Sequence, residues 1–302
     1  MHTFWKFGLC TNGNYFYDDT GVIEFMMDRF IEQNQEQTLD ARVEALLGQM
    51  TLEEKVGQTV LGNASAEDIE VNVKLGKVSA VICDDLELNN KLQRTAVEES
   101  RLGIPLIIGA DVIHGFRTIF PLPLAESCSW NPELMEQTAA VAAAEAATMG
   151  VNWIYAPMVD ISRDPRWGRI AEGAGEDPFL GRAVAQARVR GFQNAALPGK
   201  RRIAACQKHY AAYGFAEAGR DYNTVDISER TLREVCLPPF KAAFEAGSQT
   251  IMTSFNEIGG VPSTSNSFLL KTILRQEWKM NGVVVSDYNA IAELINHGVA
   301  KD

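Results

Sequence analysis

Four groups of charged side chains follow short apolar runs in this chain. Asp287 comes directly after three valines in VVVSDYNAI, Lys208 and His209 follow IAACQ, and Asp111 and His114 close GADVIHG. Asp160 opens DISRDPRWGRIAEGAGED, where Arg163, Asp164, Arg166, Arg169, Glu172, Glu176 and Asp177 sit among glycines with Trp167. Charges at the end of a buried strand are costly unless they pair or bind something polar. In parallel α/β proteins the loops at the C-terminal ends of strands are where sites are built. The Asp160–Asp177 stretch is therefore either a solvated, salt-bridged loop or one wall of an active site, and its place after the apolar VNWIYAPMV favours the wall.

Each group has a plain structural alternative. Asp287 is either an N-cap for a helix over Asn289–Ile295 or a carboxylate available for chemistry, and a cap at Ser286 would leave it available. Lys208 and His209 could bind an anion or hydroxyls, or Lys208 could form a Schiff base, whereas a lone histidine is more often structural. Asp111 with His114 could ligate a metal or recognise a polyhydroxyl ligand. The four histidines (His2, His114, His209, His297) show no metal-ligand spacing, so no metal is expected. Neither a dinucleotide-binding nor a phosphate-binding glycine pattern occurs, and no cofactor is expected. Trp130, Trp167 and Tyr288 lie beside the polar groups; aromatic faces there suit a sugar, although each taken singly is more often core.

The segments between these groups read as alternating strands and helices. Apolar runs at Val78–Cys83, Ile104–Ala110, Val151–Val159, Ile203–Cys206, Thr250–Ser254 and Val283–Val285 have strand length. Between them, helices start at Thr51 (a capping box with Glu54), at Asn131-Pro132, near Ser228 and after Asn266, and LDARVEALLGQM is amphipathic. Strands alternating with helices imply a parallel sheet. Polar groups at nearly every strand end point to a closed TIM-type (β/α)8 barrel, since an open sheet gathers its site at one switch point.

At 302 residues, with 46% hydrophobic and 22% charged residues, the chain can bury a large core. A net charge of −11 argues against a nucleic-acid partner, and no apolar run approaches the ~18 residues of a membrane span. Five scattered cysteines imply isolated thiols in a reduced compartment. The aromatic- and turn-rich first 36 residues or so do not resemble a signal peptide and are expected to form a separate arm, residues 1–36, before a barrel over 37–302. That implies a cytoplasmic protein; a different natural start would allow a periplasmic or secreted one.

Taken together, the stretches GADVIHG with TIFPLPLAESCSWNPEL, APMVDISRDPRWGRIAEGAGEDP, KHYAAYG with GRDYNTVDISERTLRE, and MTSFNEIGGVPSTSN with WKMNGVVVSDYNAI resemble glycoside hydrolase family 3, in its β-glucosidase and β-xylosidase branch. They run in family order from about Leu39 to Asp302. The resemblance implies an N-terminal barrel and a retaining, exo-acting β-glycosidase working on a β-linked oligosaccharide or glucoside. It makes Asp287 the nucleophile that forms the glycosyl-enzyme. Asp111, Arg169, Lys208 and His209 would hold the hydroxyls of the terminal sugar, Glu172 and Trp167 would support Arg169, and Tyr288 would flank the sugar. Neighbouring cations would keep such a nucleophile ionised.

Two departures follow from the same comparison. Two-domain members take their general acid/base from a glutamate on a following α/β sandwich domain, and single-domain members from a His-Asp pair in a loop reading roughly KHFPGHGD. Here that loop reads KHYAAYGFAEAGRDY, with Glu217 and Asp221 as its carboxylates. The chain reaches Asp302 after what would be the seventh barrel strand, which implies a barrel truncated before its last strand and a missing sandwich domain. The alternative function is a barrel that binds sugar but is catalytically impaired for want of its acid.

Overall fold

The computed structural model describes residues 38–195 and 202–302. The expected arm over residues 1–36 lies outside the described residues. Two compact units are present: one comprises the described residues up to Asp111 with Ala143–Ile154, Ala195 and residues 202–203, the other Val112–Ala142, Tyr155–Asn194 and Ala204–Asp302.

The first unit carries four parallel strands in sequential order, β1 (Leu61–Asn63), β2 (Ala80–Ile82), β3 (Ile107–Ala110) and β4 (Trp153–Ile154). Local signals start its helices, at Thr51 as expected and also at Thr38. Thr38 caps Leu39–Gln49, and Thr51 with Glu54 closes the capping box of Leu52–Gly57 by bonds of 3.2 and 2.9 Å. Buried amides then pin the strands. Gln93 accepts from the Leu106 N–H at 2.6 Å and donates to its carbonyl at 3.1 Å, and Asn152 accepts from the Ile108 N–H at 2.9 Å. Strand β1 was not among the expected apolar runs. Its sequence, LGN, is too short and too small to carry a hydrophobic period.

The second unit carries the parallel strands β5 (Ala204–Tyr210), β6 (Thr250–Thr253) and β9 (Val283–Val285), with an antiparallel hairpin of β7 (Glu257–Ile258) and β8 (Val261–Pro262). Helices Pro132–Thr148 and Pro178–Asn194 cross closely at Gly191, where a Cβ would lie 2.3 Å from the Glu136 carbonyl oxygen. Ser228 and Asn266 cap the helices that follow them, as expected. Strand β5 is longer than expected. It runs through Lys208 and His209 to Tyr210, so these two residues are part of the strand and do not follow it. Cys83, Cys206 and Cys236 are buried free thiols and Cys128 is an exposed one. No helix among the described residues is long and apolar enough to cross a membrane.

A buried ion pair joins two elements of this unit. Arg188, on Pro178–Asn194, donates to Glu126, on Pro123–Ser127, with side chains 5% and 4% exposed, and also donates to the Ile113 carbonyl at 2.9 Å. Burial lowers the pKa of Arg188, with Glu126 acting against the shift. Removing one partner leaves an uncompensated buried charge. Arg188→Met should therefore cost about 3–5 kcal/mol in urea denaturation, and adding Glu126→Leu should recover most of the loss. Additive losses in the double variant would show that the two side chains do not act as a pair.

Candidate active site

The segment Tyr155–Val159 runs beside β5: Lys208 N–H donates to Pro157 at 3.0 Å and Val159 N–H to Lys208 at 2.8 Å. That register brings Asp160 against His209. Asp160 Oδ2 accepts from the His209 backbone N–H at 2.9 Å and lies 3.0 Å from ring Nδ1. Both side chains are 1% exposed. Gly214 makes this possible, because a Cβ there would lie 2.3 Å from the carbonyl oxygen of Ile161 and force the loop after β5 away.

Strand β9 pairs with β6, and β6 with β5, so the residue two places beyond Val285 arrives beside the same ring. Asp287 Oδ2 lies 3.5 Å from His209 Nε2. The Asp287 carboxylate does not cap a helix. Its Oδ1 accepts from the Tyr288 N–H at 2.7 Å, and the next helix is only Ala290–Glu293, led by Asn289 in a left-handed conformation. The expected helix over Asn289–Ile295 is shorter for that reason. Tyr288 is 74% exposed beside the carboxylate.

The third side of the cluster comes from the loop after Asp160. Arg169 and Glu172 form a two-point ion pair, at 2.7 and 2.9 Å, and the guanidinium lies 5.5 Å from the centre of the Tyr213 ring. Burial opposes the Arg169 charge, but Glu172 outweighs it and the pKa is raised. Trp167 is buried, at 1% exposed, as an aromatic taken singly most often is. Its indole N–H donates to Asp221 at 2.9 Å, and its ring meets Tyr213 edge-on at 5.1 Å. Tyr213 in turn packs edge-on against His209 at 5.3 Å. Tyr213 thus meets both Trp167 and Arg169. Tyr222 and Phe255 add an aromatic pair at 4.7 Å beside Tyr213.

Lys208 is 5% exposed and next to His209. Asp111 directly follows β3, is exposed and belongs to the first unit, and its assignment rests on the resemblance alone. His114 Nδ1 lies 3.0 Å from the Phe120 carbonyl, a local structural contact. No group of three or more His, Cys, Asp or Glu side chains among the described residues is placed to hold a metal ion. Tyr213 was not singled out from the sequence, and Asp221 was named only as a carboxylate of the loop after Lys208-His209. Asp160 was visible as the first charge after an apolar run, but its partner lies 49 residues away.

Burial pushes the Asp160 carboxyl up to about 7, outweighing the His209 N–H and the Arg169 charge. Burial, followed by the charges of Lys208 and Arg169, holds His209 well below 6.5. The two groups pull stability in opposite directions. The unfolded chain releases the Asp160 proton near 3.8 while the native state keeps it to about 7, so this contribution is present below 3.8 and lost as pH rises to 7. His209 stays neutral when folded but gains a proton unfolded, so its contribution is lost as pH falls below 6.5. Asp160→Asn removes the first effect. Wild-type stability relative to that variant should fall by up to about 4 kcal/mol between pH 4 and pH 7. Urea denaturation at both pH values measures this, and a constant difference would contradict the burial effect.

Known proteins resemble this chain along most of its length. The model of the glycosyl hydrolase family 3 N-terminal domain matches residues 51–302. A periplasmic β-glucosidase of Salmonella typhimurium is 42% identical over 268 residues, covering 87% of this chain and 35% of the relative. A putative β-xylosidase of Formosa agariphila is 35% identical over 312 residues, covering 92% and 41%. The crystal structure of a β-glucosidase from Listeria innocua in complex with isofagomine superposes with a TM-score of 0.81 at 40% identity, over 87% of this chain and 38% of that one. The same enzyme has been crystallised with glucose. The chain thus spans well under half the length of these relatives, and the fold it shares with them is of the TIM-type α/β class. The chain belongs to glycosyl hydrolase family 3, and the match lies in that family's N-terminal domain.

Proposed function

We propose that this chain supplies the nucleophile and sugar-binding groups of a retaining, exo-acting β-glycosidase, a β-glucosidase in the first place. The observation that carries the reading is the placing of Asp287 Oδ2 3.5 Å from His209 Nε2, in a unit that also holds the Arg169–Glu172 pair and Lys208. The glucose-bound structure of the Listeria relative supports glucose as the sugar. In the first step an Asp287 oxygen attacks the anomeric carbon, the glycosidic C–O bond breaks, and the aglycone leaves with the electron pair and takes up a proton. Water then releases the sugar from Asp287 with net retention. Lys208, His209 and Arg169 hydrogen-bond the hydroxyls of the terminal sugar, and these bonds tighten as positive charge builds on the ring. Tyr288 flanks the ring.

The test is intact-protein mass after incubation with a 2-deoxy-2-fluoro-β-glucoside bearing a dinitrophenyl leaving group, followed by peptide mapping. One adduct, on Asp287, is expected. An adduct elsewhere, or none on folded protein, would overturn the assignment; the second outcome, with glucose still bound, would favour a sugar-binding barrel impaired in catalysis.

A further inference from the structure

We propose that Asp160 is a positioning residue that holds His209 as the tautomer protonated on Nδ1, so that Nε2 meets the sugar and Asp287 with a lone pair. The proposal deepens the glycosidase reading and rests on it for the identity of the ligand; the hold of Asp160 on the ring does not depend on it.

Asp160 Oδ2 accepts from the His209 backbone N–H and also faces ring Nδ1, at 2.9 and 3.0 Å. Above about pH 7 the Asp160 carboxylate is ionised and only accepts, so there Nδ1 must be the donor. The ring is buried and lies near the cations Lys208 and Arg169, and these conditions keep it neutral. A neutral imidazole has one proton, so Nε2 has a lone pair. The edge-on ring of Tyr213, at 83° to the imidazole, limits ring rotation.

The consequence falls on Asp287. With the proton on Nδ1, the 3.5 Å approach of Nε2 to Asp287 Oδ2 involves no N–H, and a sugar hydroxyl lying beside both atoms can donate to the imidazole. With the proton on Nε2, the imidazole would donate to Asp287 and occupy an electron pair that the nucleophile needs. That tautomer would also set the Nδ1 lone pair against Asp160. Asp160 therefore acts on the reaction through His209 without touching the substrate, as partners behind a reacting group commonly do.

Long-range proton–nitrogen correlation on protein labelled with ¹⁵N-histidine tests this at pH 8, where Asp160 is ionised. The four histidine signals are sorted with His209→Gln. The expected result is a neutral His209 protonated on Nδ1; a proton on Nε2, or on both nitrogens, would overturn the proposal. Two variants test the role. In Asp160→Asn the backbone N–H cannot become an acceptor, so the amide oxygen must take the Oδ2 place and keep the tautomer. Asp160→Ala offers no acceptor. Labelling of Asp287 by the fluoroglucoside should keep its wild-type rate in the first variant and slow by about 10–100-fold in the second. Equal slowing in both, or none in the alanine variant, would remove the role. If the alanine variant does not fold, the wild-type spectrum and the asparagine variant still decide. The expected tautomer without any labelling of wild-type protein would sink the glycosidase reading and leave the hold of Asp160 on His209 intact.

Discussion

Replacing Asp287 with alanine should lower kcat on a dinitrophenyl β-glucoside by about 10⁴–10⁶-fold, the range seen when a nucleophile is removed from a preorganised site. The effect should be on kcat, because the groups proposed to hold the sugar (Lys208, His209 and Arg169) remain. Glucose binding, measured by calorimetry, should change little. Added azide gives a second readout. It can enter the space left by the carboxylate, attack the anomeric carbon from the same face and yield the α-glucosyl azide. Normal turnover by Asp287→Ala, or a β-configured azide product, would rule out Asp287 as the attacking group. The position of the carboxylate makes the experiment clean. It ends no helix through its side chain, its Oδ1 accepts from the adjacent Tyr288 N–H, and the substitution leaves the buried Glu126–Arg188 pair in place.

The second large effect concerns the leaving group. The carboxylates that surround the Asp287–His209 pair in this unit are each engaged. Asp160 holds His209, Glu172 is paired with Arg169, and Asp221 accepts from Trp167 and faces the Tyr213 hydroxyl. Glu217 is exposed. Asp160 keeps its proton to about pH 7 but is buried against His209, so it is not placed to hand that proton to a leaving group. General-acid help is worth about 10²–10⁴-fold in rate, so an activated aryl glucoside, whose leaving group needs no proton, should react faster than cellobiose by that order. Presteady-state release of dinitrophenol against glucose release from cellobiose measures the ratio. Equal rates would mean that one of these carboxylates donates a proton after all, and Asp221→Asn and Glu217→Gln would identify which. Asp221→Asn should in any case keep the Trp167 contact, since the amide oxygen can still accept from the indole.

Much of this was legible in the amino-acid sequence, and the reason is that the signals are local. A Thr or Asn placed before a helical period satisfies backbone N–H groups two or three residues away, so the caps at Thr38, Thr51, Asn131, Ser228 and Asn266 need no tertiary context. A run of valines before Asp287 marks a buried strand and its end together. The family resemblance ordered those local signals into one domain and selected Asp287 as nucleophile from readings that the residues alone had left open.

The sequence by itself determined the alternation of strands and helices and the strand-end position of Asp287; it was the resemblance that named Lys208 and Arg169 as candidates for one ligand. Only the tertiary structure decided which carboxylate meets which base. Asp160 reaches His209 across 49 residues, Trp167 reaches Asp221 across 54, and Arg188 reaches Glu126 across 62. The same folding buried Trp167 edge-on against Tyr213. Hydrophobic period and capping report only what a residue does to its own turn of chain. The cost of a buried charge is met by whichever group the folded backbone brings within about 3 Å, and that distance exists only once the strands have paired.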